Sequence, residues 1–168
     1  MDRVLFAAIA LLAGGLVWVV SGTLEQRIIN VDDKAPNFSI TTDSGKTISL
    51  SNFGGKLLVL NFWASWCEPC VTEVPSLDAF QRELAPQGVV VVGVSIDRNL
   101  KLYQQFLEKL PVSFETARDP DANISSSYGT FQIPETYIID RTGKVREKVI
   151  SNQNWMDPEV LAHVRSLL

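Results

Sequence analysis

Eight residues, Leu57–Ala64 (LLVLNFWA), hold a single polar side chain among seven apolar ones. A run that is strand-length and does not alternate belongs to a strand covered on both faces, so the sheet that contains it lies between layers. A second run of the same kind is Val89–Ile96 (VVVVGVSI). Between the two, Val71, Val74, Leu77, Phe80 and Leu84 recur at steps of three or four and predict a helix from about Cys67. Pro75 inside that stripe predicts a kink. Leu100 to Leu110 reads as an amphipathic helix stopped by Pro111, and Asp119 to Tyr128 as a short helix entered through Asp119-Pro120. TYIID is a third strand, Arg141-Thr142-Gly143-Lys144 a turn and VREKVIS a fourth strand. Asp157-Pro158 opens a last helix to Leu168. Upstream, FSITTDSGKTISLSNF alternates on either side of Asp43-Ser44-Gly45-Lys46 and predicts a β-hairpin. Strand–helix–strand units followed by an antiparallel pair imply an α/β domain over residues 38–168, a central mixed sheet with helices on both faces.

The N-terminus has a different character. Val4–Val20 is 17 residues without a charge, and Ser21 to Leu24 extend the run to 21. About 20 apolar residues cross a bilayer as a helix. A cleaved signal peptide wants a stronger basic start and a small-x-small cleavage site. Only Met1 and Arg3 are positive here, Asp2 opposes them, and Ser21-Gly22-Thr23 is a poor match. Residues 1–24 are therefore expected to be an uncleaved membrane anchor, with Trp18 facing lipid or the interface. Residues 25–37 (EQRIINVDDKAPN) are expected to be a polar linker. Arg3 places the remainder on the extracytoplasmic side by the positive-inside rule. The net charge is −4 with no basic run, which makes nucleic acid a poor partner.

Cys67 and Cys70 are the only two cysteines. Outside the cytoplasm thiols normally end in structural disulfides. A Cys-x-x-Cys loop is too short to remove much unfolded-state entropy, so this pair is better explained by chemistry than as a staple. Cys67 falls where the strand hands over to the helix, and free N–H groups at a helix start stabilise a thiolate. Cys70, a turn deeper, is expected to be more buried. An attacking and a resolving cysteine are what thiol–disulfide exchange requires. Two thiolates could also hold Cu(I) or half a zinc site. Zinc wants four ligands, and the single histidine, His163, lies in the last helix and reads as a surface residue.

The stretch LLVLNFWASWCEPCVTEVP, with the distant Ile133-Pro134, resembles the thioredoxin superfamily, and within it the membrane-anchored TlpA-like branch that includes ResA-like and CcmG (DsbE)-like proteins. Glu-Pro between the cysteines is ResA-like, while Pro134-Glu135-Thr136 is CcmG-like. The resemblance covers about Ala35 to Leu168. It implies a thioredoxin-like fold with Cys67 as nucleophile, Cys70 as resolving thiol and Trp66 flanking the pair. It implies a cis bond at Pro134, where the Ile133 backbone pairs with an extended substrate segment. It also implies that Glu73 handles the proton of the buried thiol. A carboxyl one turn from Cys70 can face it, and burial raises a carboxyl pKa toward neutrality.

Two departures from the superfamily pattern matter. Asn61 stands where thioredoxin has a buried Asp, which moves proton handling to Glu73. Glu68 puts negative charge beside Cys67 and disfavours its thiolate. A less stable thiolate makes a more reducing pair. The candidate catalytic residues are thus Cys67, Cys70 and Glu73, with Trp66, Glu68, Ile133 and Pro134 as substrate-binding candidates. Trp63 and Trp155 read as core packing residues. The expected activity is reduction of protein disulfides by a monomer that needs no cofactor beyond its own redox-active disulfide. The family's typical substrate is the Cys-x-x-Cys-His disulfide of apocytochrome c before haem attachment. A membrane thiol transporter of the CcdA/DsbD type is the implied electron donor. The alternatives are a copper-site assembly or Cu(I)-handling module and, given Glu68, less readily a periplasmic oxidant or isomerase.

Overall fold

The chain was analysed as a computed structural model that describes residues 3, 6, 9–16, 18 and 28–168. Its elements, in order, are β1 (Ser39–Thr41), β2 (Thr47–Ser49), β3 (Leu57–Trp63), α1 (Glu68–Leu84), β4 (Val89–Ser95) and α2 (Leu100–Lys109). They continue with β5 (Glu115–Arg118), α3 (Asn123–Ser127), β6 (Glu135–Ile139), β7 (Val145–Ile150) and α4 (Pro158–Ser166). The anchor expected over residues 1–24 and the first linker residues, 25–27, fall largely outside the described residues. Residues 9–16 are helical. Among the described residues no helix is long and apolar enough to cross a membrane.

Five strands form one sheet in the order β5-β4-β3-β6-β7. β3, β4 and β5 run parallel, while β6 and β7 are antiparallel to their neighbours. β3 sits in the middle with all seven residues buried, as its unbroken apolar run requires. Because successive side chains point to opposite faces, β3 serves two cores at once. Leu57 and Val59 join Leu77, Phe80 and Leu84 of α1, Val164 of α4 and Trp155. Leu58, Leu60 and Phe62 join Phe38, Ile48, Tyr128, Tyr137 and Ile139 on the other side. Trp63, at the end of β3, packs against Tyr103 and Phe106 of α2. Truncating Leu77 or Phe80 to Ala would cost about 2–5 kcal/mol.

Three expectations are corrected. The first concerns the linker: residues 29–37 are sewn to the domain. Ile29 and Ala35 are buried, the Ile29 N–H donates to the Tyr128 carbonyl, and Lys34 bridges to Lys144. The segment is polar by composition, but Ile29 and Ala35 join the core around Tyr128. The second is a missing strand: β5 has only four residues, of which Thr116 and Ala117 are buried, too short to show a period. The third is α3, which begins at Asn123 rather than Asp119. Asp119-Pro120 forms a turn, and the Asp119 carboxylate reaches forward to accept from the Ile124 N–H at 2.7 Å. α1 continues through Pro75.

Candidate active site

The site lies at the carboxyl end of β3, where the chain passes through Ala64-Ser65-Trp66 into α1. The buried Asp97 fixes this turn, just after β4. Its carboxylate accepts from the Ser65 N–H and hydroxyl, both at 2.8 Å, and from the Ser95 hydroxyl at 2.7 Å. A carboxylate with three donors is a rigid tie, and it joins the strand ends on either side of the cysteines. Asp97 was not anticipated: a lone acid after an apolar strand looks like a loop residue.

Cys67 is the N-cap of α1, with Pro69 in the first turn, where its missing N–H costs nothing. Cys67 and Cys70 are joined by a disulfide. The Cys70 N–H donates to the Cys67 Sγ at 3.3 Å, so the helix start already directs a donor at the sulfur that would carry negative charge on reduction. Cys67 is 7% exposed and Cys70 1%, in the order expected for an attacking and a resolving thiol. The Ile133–Pro134 bond is cis, and the Ile133 carbonyl oxygen lies 3.7 Å from the Cys67 Sγ. Pro134 is buried and Ile133 half-buried. Glu68 and Trp66 are exposed on the rim. Trp66 borders an open cavity of about 410 Å³ shared with Ile96, Asp97 and Leu102. All the residues singled out around the cysteines therefore converge on one end of the sheet. His163 sits elsewhere, paired with Glu147.

Beneath the disulfide lies a buried carboxyl. Glu73 is 2% exposed, on the same inward face of α1 as Cys70 and Val74. One oxygen, Oε1, accepts from the Trp155 indole N–H at 2.6 Å; Oε2 accepts from the Asn61 amide at 3.3 Å. Asn61 also donates to the Thr136 hydroxyl at 2.9 Å. Burial raises the Glu73 pKa from 4.5 to about 7, with hydrogen bonds from Trp155, the Gln153 main chain and Asn61 working against the rise. Asn61 faces Gly93 on one neighbouring strand and Thr136 on the other, which places its amide in the middle of the sheet under α1. Gly93 is required there: a Cβ would come within 2.9 Å of the Phe114 ring and 3.1 Å of the Trp63 indole nitrogen.

The opposite face of the sheet holds a second buried acid. Glu135 follows Pro134, is 1% exposed, and pairs with Lys148 at 2.7 Å while accepting from the Tyr137 hydroxyl at 3.0 Å. Burial works against the Lys148 ammonium, but its contacts with Glu135 and Tyr137 leave its pKa raised. The Lys148 ammonium also donates to the Ile29 carbonyl at 3.3 Å.

The AhpC/TSA family profile matches residues 31–148. The thiol-disulfide oxidoreductase ResA of Bacillus thuringiensis subsp. konkukian is 32% identical over 158 residues, 90% of either chain. Among solved structures, one described as a thiol:disulfide interchange protein DsbE from Chlorobium tepidum superposes with a TM-score of 0.73 at 30% identity, covering 83% of this chain and 95% of that one. StoA from Bacillus subtilis, at 22% identity and a TM-score of 0.66 over 79% of this chain and 96% of its own, shares the fold. With a redox pair at a helix start facing a cis-proline loop, and with these relatives, the chain belongs to the AhpC/TSA family of the thioredoxin superfamily and is a thiol-disulfide oxidoreductase of the ResA/DsbE type.

Proposed function

We propose that this oxidoreductase works as a reductant of protein disulfides on the extracytoplasmic side of the membrane, held there by residues 1–24. Its proposed substrate is the Cys-x-x-Cys-His disulfide of apocytochrome c before haem attachment. The observation that carries this reading is the buried Glu73 carboxyl, one turn beyond Cys70 and with a pKa near 7. It can take the proton of the resolving thiol at neutral pH. Glu68, exposed on the first turn of α1, adds a second acid beside Cys67. Acids flanking the pair disfavour the thiolate of the reduced form, and a reduced form that is weakly held gives up its electrons readily.

In the reduced protein the Cys67 thiolate attacks one sulfur of the substrate disulfide. A new S–S bond forms, the substrate S–S bond breaks, and the displaced sulfur leaves as a thiolate. Cys70 passes its S–H proton to Glu73, and the resulting thiolate attacks the Cys67 sulfur. The Cys67–Cys70 disulfide closes and the second substrate thiolate departs; the substrate gains two electrons and the pair loses two. Ile133, before the cis-proline, offers its main chain to the extended substrate segment. A membrane thiol transporter of the CcdA/DsbD type returns the pair to the dithiol.

The test is the reduction potential of Cys67–Cys70, paired with capture of substrates by Cys70→Ala. A potential near or below about −250 mV, on the side of thioredoxin rather than of the oxidant DsbA, is expected. A value near −120 mV reverses the reaction and overturns the reading. Cys70→Ala should accumulate mixed disulfides through Cys67 that include cytochrome c precursors; their absence from the captured set removes the proposed substrate. Stoichiometric Cu(I) binding without disulfide reduction would replace the reductase reading by the copper-handling one.

A further inference from the structure

Trp155 belongs to neither the CxxC motif nor the cis-proline loop, and its sequence position suggests only packing ahead of the last helix. The structure gives it a polar task. It is 0% exposed, and its indole Nε1 ends on the Glu73 Oε1 at 2.6 Å. The loop that carries it, between β7 and α4, is tied to α1 at three further points. The Trp155 N–H donates to the Ser76 hydroxyl at 3.3 Å, that hydroxyl lies 3.4 Å from the Gln153 carbonyl, and the ring packs on Phe80 at 5.3 Å. The indole therefore cannot swing away from the carboxyl without breaking the packing of α1.

The kind of donor matters as much as its place. The groups that face Glu73 are Asn61 from β3, Thr136 behind it from β6, and Trp155 with the Gln153 main chain from the loop; on its own helix the titratable neighbour is Cys70. The facing side chains from the other elements are neutral. An indole N–H donates and cannot accept, so it favours the carboxylate over the acid. It carries no charge, so unlike a lysine or arginine it does not pull the carboxyl back down to the ordinary carboxylate range. A buried carboxyl without such a donor would hold its proton well above neutrality and could not take one from Cys70.

We propose that Trp155 is a positioning residue of the thiol chemistry: its indole N–H holds the Glu73 carboxylate in place as the proton acceptor of Cys70. This inference rests on the proposed role of Glu73 in the resolving step. It assigns to a residue 82 positions away in the chain the task of keeping that acceptor usable at neutral pH.

The experiment uses the full chain in detergent. The single-turnover rate of reduction of a peptide disulfide, divided at each pH by the Cys67 thiolate fraction read from its rate of alkylation by iodoacetamide, is followed from pH 5 to pH 9 for the wild type, Trp155→Phe and Glu73→Gln. The wild-type rate should rise along an acid limb centred near pH 7. Trp155→Phe should move that limb up by one pH unit or more, slowing reduction about fivefold or more at pH 7 with recovery at high pH. Glu73→Gln should remove the limb. A Trp155→Phe profile lowered by one factor at every pH, or unchanged, beside a Glu73→Gln variant that lacks the limb, overturns the inference and leaves the Glu73 reading standing. A limb that survives in Glu73→Gln overturns both. Should Trp155→Phe fail to fold, the indole N–H resonance of Trp155 in the wild type, labelled with ¹⁵N-tryptophan, decides. A shift with a midpoint near pH 7 that vanishes in Glu73→Gln supports the inference, and a resonance flat over this range overturns it.

Discussion

Two buried glutamates sit back to back across the same pair of strands. Glu73 lies on the α1 face, over Asn61 and Thr136; Glu135 lies on the other, opposite Phe62 in the β3–β6 register. Their exposures are 2% and 1%. What separates them is the partner. Glu135 stands against a full positive charge, Lys148 at 2.7 Å, with Tyr137 as a second donor. Among the described residues the donors to Glu73 are neutral, and it keeps a pKa near 7. A buried carboxylate opposite a cation has its charge matched by its partner and acts as architecture. A buried carboxyl among neutral donors is free to change charge state in the physiological range. In this domain the first braces the strand behind the cis-proline, and the second is the carboxyl we propose as proton acceptor for the cysteines.

The largest expected effect comes from removing the cation. Lys148→Met leaves Glu135 buried opposite an apolar side chain and should cost about 3–5 kcal/mol in urea unfolding. Adding Glu135→Leu to it should bring stability back to within about 1 kcal/mol of the wild type, because the uncompensated charge is gone. If the single variant is as stable as the wild type, Glu135 has another partner and the contrast with Glu73 fails.

Glu73 should behave in the opposite way. It keeps its proton in the folded protein up to about pH 7 but releases it near 4.5 in the unfolded chain. The folded state thus binds more protons between those values, and the contribution of this group to stability falls as pH rises through that window and is level above it. Glu73→Gln removes this loss. Comparing unfolding at pH 4.5 and pH 8, the variant should gain about 3 kcal/mol on the wild type. A constant difference between the two proteins would mean that Glu73 titrates as an ordinary surface acid.

The smallest effect is expected at Asn61. Its hydrogen bond to Glu73, at 3.3 Å, is longer than that of Trp155 at 2.6 Å. Asn61→Ala should cost about 1 kcal/mol and move the acid limb of reduction upward by less than Trp155→Phe does. A larger shift than that of Trp155→Phe would make the amide, not the indole, the main support of the carboxylate.

Much of this arrangement is legible before any coordinates. The buried strands β3 and β4 announce themselves by apolar runs, and α1 by its stripe. Cys67 and Cys70 stand out as a lone pair at a strand-to-helix joint, and Glu73 comes with the resemblance, in keeping with its place one turn beyond Cys70. The cis-proline loop is reached through the resemblance, because an X-Pro bond before a strand says nothing of its isomer. What stays hidden is whatever depends on distant partners. Trp155 looks like packing until the sheet brings it to Glu73, and Glu135 looks like a strand-edge acid until Lys148 comes beside it on β7. Asp97 and the four residues of β5 leave no periodic trace. Residues 29–37 mislead because composition reports polarity, while their docking depends on main-chain hydrogen bonds, on the buried Ile29 and Ala35, and on distant side chains such as Tyr128 and Lys148.

That docked segment sets the length of a leash. Ile29 is fastened to Tyr128, and its carbonyl is held by Lys148. With residues 1–24 as the anchor we propose, five residue steps separate Leu24 from Ile29. Covalent geometry limits those steps to a span of roughly 18 Å at most. An enzyme on so short a tether searches for its substrates in two dimensions, meeting only what passes along the membrane surface or is delivered to it. The membrane thiol transporter proposed as its electron donor would then never be more than a lateral encounter away.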